Sequence, residues 1–73
     1  MESKRFIVGI HRYCYKAGEP AEILKEVTIN DRTCYKAKYL DGSIDYIPLI
    51  DSSNYKIISQ KDIDNNDIPR VTK

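Results

Sequence analysis

The chain of 73 residues contains no tryptophan, one histidine, one phenylalanine, two cysteines and three each of glycine and proline. Each shortage removes a class of function. His11 has no second imidazole to join, and Cys14 and Cys34 do not form a C-x-x-C pair, so a structural zinc site lacks ligands of the usual kind and spacing. On one strand, His11 and Cys14 would point to opposite faces, which argues against a thiol–imidazole pair. There is no phosphate-cradling glycine loop, nucleophile elbow or zinc-binding helix motif. We expect no enzyme activity, no catalytic residue, no metal and no cofactor.

Long apolar runs are missing too. Nothing approaches the roughly 20 residues that a bilayer-spanning helix requires. The apolar stretch in "MESKRFIVGIHRY" is broken by His11 and Arg12 before it reaches the length of a secretory signal core. The expectation is a cytoplasmic protein with no membrane partner, in which a reducing compartment keeps both cysteines as free thiols. A net charge of one sign is also lacking, since twelve basic residues meet eleven acidic ones for a sum of +1. The balance shifts along the chain, with eight basic and five acidic residues over 1–40 and four and six over 41–73. A closed fold puts both halves on one surface, so composition alone predicts no strong field for nucleic acid.

What is present is a pattern of short strands. "RFIVGIHRYCYK" (5–16) is rich in β-branched and aromatic residues and predicts a long first strand with Phe6, Val8 and Ile10 on one face and a bend or bulge at Gly9. "AGEP" (17–20) breaks it as a turn. "PAEILKEV" (20–27) supports two readings. Pro20 followed by good helix formers suits a short helix. Alternation of Ala21, Ile23, Lys25, Val27 and Ile29 against Glu22, Leu24, Glu26 and Thr28 suits a strand running into the turn "NDR". We favour the strand, in which Lys25 on the apolar row is a flaw unless the strand bends or bulges between Ile23 and Val27.

"TCYKAKYL" (33–40) alternates Tyr35, Ala37 and Tyr39 against Cys34, Lys36 and Lys38, as a half-buried strand does. Asp41-Gly42 then gives a hairpin signal, with Tyr39 and Tyr46 expected to face inward across it. "SIDYIPLI" is the return strand, which Pro48 ends or confines to an edge. "DSSN" (51–54) predicts a short turn or one 3₁₀ turn that Asp51 caps, and "YKIIS" a last short strand. These elements form one domain over residues 1–59. The polar stretch 60–73 reads as a flexible tail, although Ile63, Ile68 and Val71 leave a second reading in which it packs back on the domain.

Taken together, "GEPAEILKEV", "CYKAKYLDGSIDYIPL" and "YKII" resemble the strand order of small Src-homology-3-like barrels, including Tudor and chromo-barrel modules, over residues 17–58. The resemblance implies an all-β fold, a small antiparallel barrel to which the long N-terminal strand is additional. The competing class is α+β, with a helix near 20–27. The chain also resembles small bacteriophage and prophage proteins, which implies an accessory factor that modulates a host protein.

A chain of this size buries only roughly 60% of the surface its unfolded form exposes, so its core must be small. Six tyrosines stand out. In Tudor-like barrels, aromatic rings and an acid at hairpin tips cage a methylated cation, because the negative face of a ring attracts positive charge. The resemblance implies that Tyr39, Asp41, Asp45 and Tyr46 surround such a place. Packing of Tyr35, Tyr39, Tyr46 and Tyr55 in the core and across strands is the competing and favoured reading. Tyr13 and Tyr15 complete the candidate surface for a protein partner, which is the leading functional expectation, in a monomer or small homo-oligomer. The alternative is RNA or single-stranded DNA, bound through Arg5, Arg12, Lys16, Lys36 and Lys38 interleaved with tyrosines.

Overall fold

The computed structural model describes residues 4–48 and 53–71. Five strands and one helix follow in the order β1 (Arg5–Gly9), β2 (Pro20–Ile29), β3 (Arg32–Tyr39), β4 (Ile44–Pro48), β5 (Tyr55–Ser59) and α1 (Gln60–Asp64). All strand pairings are antiparallel, and the sheet order is β4-β3-β2-β1-β5. The segment 20–27 is strand. Among the described residues no ladder joins β4 to β5, so the sheet has two edges where a closed barrel would have none.

The first strand is shorter than its composition suggests, and it is not additional to the sheet. It ends at Gly9 and lies between β2 and β5, with Phe6 opposite both Glu22 and Ile58. Residues 10–19 fold back as a compact loop: Cys14 N donates to His11 O, Gly18 N to Gly9 O and Glu19 N to Lys16 O. His11 and Cys14 are therefore joined through the backbone of a turn, not displayed on opposite faces of a strand. Gly9 permits the fold-back, because a Cβ there would stand 2.6 Å from Cys14 Cβ. Lys16 (φ 49°) and Gly18 (φ 85°) take left-handed backbone conformations that β-propensity does not anticipate.

Pro20 stands at the first position of β2, where its missing N–H does least harm. The register of β2 against β3 shifts between Ile23 and Lys25, which leaves Leu24 as the extra residue of a bulge. Ala21 and Ile23 point to the core, whereas Lys25 turns to the opposite face and stands directly across from Lys36. Val27 and Ile29 turn with it and leave the core row that straight alternation would give them. Asn30 (φ 50°) and Asp31 (φ 64°) make the tight reversal into β3, at two successive positive-φ positions where Asn and Asp are tolerated best.

Both faces of the sheet are used. On the first, Ile7, Ala21, Tyr35, Ala37, Tyr39 and Ile47 form a buried cluster, with Ile23 and Tyr55 packed against it. On the second, Phe6, Val8 and Ile58 are covered by Ile63 of α1 and by Ile68. The internal strand β1 is thus buried on both sides, and of the two readings of the C-terminal stretch the packed one describes Ile63 and Ile68. Helix α1 starts at a reciprocal capping box: Ser59 Oγ accepts from Asp62 N, and the Asp62 carboxylate accepts from Ser59 N. The cap expected at Asp51 lies outside the described residues. Ser53 and Asn54 form a 3₁₀ turn ahead of β5.

Candidate functional site

The loop 10–19 and the β3–β4 hairpin meet at one end of the sheet. The hairpin loop is three residues, Leu40 to Gly42, closed by Gly42 N donating to Tyr39 O and by Tyr39 N donating to Ser43 O. Gly42 at φ 93° supplies the left-handed position this loop requires. Asp41 stiffens it, since its Oδ1 accepts from both Ser43 N (2.9 Å) and Ser43 Oγ (2.7 Å). The other carboxylate oxygen of Asp41 pairs with the Lys16 ammonium from the loop. The hydrogen bond from Lys16, followed by those from Ser43, holds the Asp41 carboxyl well below the usual carboxylate range, and the same contact raises Lys16.

A second tie runs through Tyr39. Its hydroxyl donates to Tyr15 O at 3.2 Å, and its ring meets that of Tyr15 edge-to-face with centroids 5.6 Å apart. Burial, with the Asp45 carboxylate next in importance, pushes the Tyr39 phenol up to about 12. Tyr55 is raised as well, mainly by burial and then by its hydrogen bond with Cys14. The Lys16 ammonium lies 5.8 Å from the Tyr15 ring centre and 5.7 Å from that of Tyr39, within cation–π range of both. The chain's own lysine therefore sits where the caging resemblance would put an external cation.

Of the residues proposed from sequence for a protein partner, the structure brings together Tyr15, Tyr39 and Asp41, with Asp45 beside Tyr39 on the first face. Tyr13 is separate: Arg12 stacks 4.8 Å above its ring and donates to its hydroxyl, and His11 packs at 5.0 Å. Tyr46 does not face inward with Tyr39. A three-residue loop shifts the register by one relative to a two-residue Asp-Gly turn, which places Tyr46 opposite Lys36 on the second face. The basic set is divided as well. Arg5 lies at the start of β1, Arg12 and Lys16 are engaged in the loop, and Lys36 and Lys38 belong to the second face of β3.

Leu40 has no place among the residues singled out from sequence, yet it is 84% exposed, more than Tyr13 (76%) or Tyr15 (54%). An apolar residue immediately before the Asp41-Gly42 hairpin signal would have found it. Cys14 and Cys34 are free thiols, Cys34 buried. Among the described residues no group of three or more His, Cys, Asp or Glu could hold a metal ion, and no helix is long and apolar enough to cross a membrane. Comparison of the chain with protein-family models, curated proteins and solved structures finds no match.

Proposed function

We propose that this is a non-enzymatic binding module whose protein partner docks on the surface made by the 10–19 loop and the β3–β4 hairpin. The observation that carries this reading is Leu40, an almost fully exposed aliphatic side chain between two residues that are each fastened to the loop, Tyr39 to Tyr15 and Asp41 to Lys16. A tip held this way loses little conformational entropy when it is covered, and a rigid apolar anchor beside an exposed tyrosine is the kind of feature that dominates interface energies. The partner should offer an apolar recess for Leu40 and Tyr15. The absence of a metal-ligand cluster among the described residues sets no chemistry against this reading, and it is not itself support for it.

The proposed architecture is a small barrel of the Src-homology-3-like kind. The strand order β4-β3-β2-β1-β5, the bulge in β2 that lets a long strand bend and the 3₁₀ turn ahead of β5 support it. A host protein as the partner of a phage-derived accessory factor is the specific version of the proposal, resting on the resemblance to phage and prophage proteins.

The test is capture from a cell lysate on immobilised protein, with and without nuclease, comparing the wild type with Leu40→Asp and Tyr15→Asp. Stoichiometric recovery of one nuclease-resistant protein by the wild type, lost with both variants while circular dichroism stays unchanged, is the expected result. Equal recovery by the folded variants would move the interface elsewhere.

A further inference from the structure

The second face of the sheet is covered over β1 and β5 by Ile63 and Ile68, but its β2–β3–β4 half carries exposed charged and apolar residues. The register sets out its rows: Glu22, Lys38 and Ile44; then Lys25, Lys36 and Tyr46; and, beyond Cys34, Arg32 opposite Ile29. Four cations stand there against Glu22 as the strand acid of that half. Lys25 and Lys36 are directly opposite, an arrangement that costs stability in an isolated sheet because like charges repel across a cross-strand pair. The ion pair found among the described residues, Lys16–Asp41, lies elsewhere and does not relieve them.

Two separate irregularities build the middle row. Without the bulge at Leu24, straight alternation from Ile23 would return Lys25 to the core face, and with a two-residue hairpin Tyr46 would oppose Ala37 on that same face. The bulge in β2 and the three-residue loop each shift one neighbour of Lys36 to the second face. The result is Tyr46, 46% exposed, beside Lys36, which is beside Lys25. Along β3, Lys36 and Lys38 are separated by about 7 Å, and Lys25 stands across from Lys36 by about 5 Å, so the charges form a short track and not a single point.

We infer that this face binds single-stranded nucleic acid, with Lys25, Lys36, Lys38 and Arg32 neutralising successive phosphates and the Tyr46 ring stacking on a base. Charge complementarity calls for a polyanion. An exposed ring within the basic track calls for one whose flat, unstacked groups are accessible, which a single strand offers and a duplex does not. The site lies on the second face of the sheet, the protein-docking surface proposed above lies at the end where loop 10–19 meets the hairpin, and neither depends on the other.

The experiment is fluorescence anisotropy of a labelled oligothymidylate, a duplex of equal length and a labelled polyglutamate peptide, each at low and moderate salt. The wild type should bind the single strand most tightly, with affinity falling as salt rises. Lys25→Gln with Lys36→Gln should flatten that salt dependence. Tyr46→Ser should weaken binding about fivefold or more at either salt without flattening it, as loss of one stacked base does. Lys61→Gln, in α1, should leave binding unchanged. Every substituted side chain is at least partly exposed, and unchanged far-ultraviolet dichroism will verify the fold. Absence of binding at low salt, a duplex bound as tightly as the single strand, polyglutamate bound as tightly as oligothymidylate, or indifference to Tyr46→Ser would each overturn the inference, the polyglutamate result in favour of an acidic protein.

Discussion

The phenol of Tyr39, at the end of β3, donates its hydrogen bond to the main-chain carbonyl of Tyr15, 3.2 Å away in the loop that follows β1. One side chain therefore serves two ends: its ring is part of the core cluster with Ile7, Ala21 and Ile47, and its hydroxyl holds the candidate docking surface in place. Tyr39→Phe keeps the ring and removes the tie, so it should lower stability by only about 1 kcal/mol. Tyr39→Ala removes core volume as well and should cost roughly 3–5 kcal/mol. Urea unfolding separates the two. Protease cleavage within 10–19 should accelerate in Tyr39→Phe by more than its small loss of global stability accounts for.

The same phenol has a pH signature. Burial raises Tyr39 to about 12 in the folded chain, against an ordinary value of 10.0. The unfolded state loses this proton first, so the contribution of Tyr39 to stability is complete below the unfolded value and is lost as pH rises between the two. Phenolate absorbance should show a late ionisation above the ordinary value, to which Tyr55 also contributes, and Tyr39→Phe should reduce its amplitude by one phenol. A titration in which all tyrosines ionise together while the fold persists would contradict the burial of Tyr39.

Leu24 is surplus to the ladder. Ile23 pairs with Ala37 and Lys25 with Lys36, so excising Leu24 joins residues already in adjacent register and on the correct faces. Deletion of Leu24 should therefore give a folded protein within about 1 kcal/mol of the wild type, a small loss for a change inside a strand. Deletion of Lys36 should unfold the domain, because Tyr35 and Ala37 would then point to opposite faces. Chemical denaturation with near-ultraviolet dichroism distinguishes these outcomes.

The bulge also marks how far the sequence could be read. Alternation in "AEILKEVTI" with a lysine on the apolar row required an irregularity between Ile23 and Val27, and that is where it lies. The alternation of β3, the edge position of Pro48 and the location of the hairpin were equally legible, because each depends on neighbours in the chain. The end of β1 was not. It depends on Cys14 folding back to within a Cβ's reach of Gly9, a tertiary contact between residues of strand-like composition. The face of Tyr46 was hidden for another reason: Asp41-Gly42 signals a hairpin without stating whether its loop has two residues or three, and one residue decides which way every β4 side chain points. Of the candidate site, the tyrosines and Asp41 were visible as residue types. Lys16 stands among the basic residues of the nucleic-acid alternative in the sequence, because its partner Asp41 lies 25 positions away.

Gly9 and Gly42 should respond differently to alanine. At Gly9 the added methyl would stand 2.6 Å from Cys14 Cβ and 3.2 Å from its sulfur, and the loop would have to move, so Gly9→Ala should cost about 1–3 kcal/mol as overpacking does. At Gly42 there is open space, and only the φ of 93° opposes a side chain, so Gly42→Ala should cost about 1–2 kcal/mol. Cys14→Gly removes the obstructing Cβ and should recover part of the loss in Gly9→Ala but none of that in Gly42→Ala. A double-mutant cycle measured by urea unfolding reads this directly. Additive costs at positions 9 and 14 would mean that the close approach does not constrain the loop.

The C-terminal segment should behave as part of the domain. Ile63 and Ile68 pack over Phe6, Val8 and Ile58 on the second face. Burial of one large aliphatic side chain contributes about 1.5–3 kcal/mol, so ending the chain at Ser59 should remove several kcal/mol from a domain whose whole stability is expected to be of the order of 5 kcal/mol. That truncation should expose enough apolar surface to aggregate. Ser59→Ala, which removes only the cap, should cost about 1 kcal/mol and leave the fold intact. Ile68→Ser should fall between the two. Equal thermal stability of the truncated and full-length chains would show that the second face stabilises itself without α1, and would return the segment after Ser59 to the status of a tail.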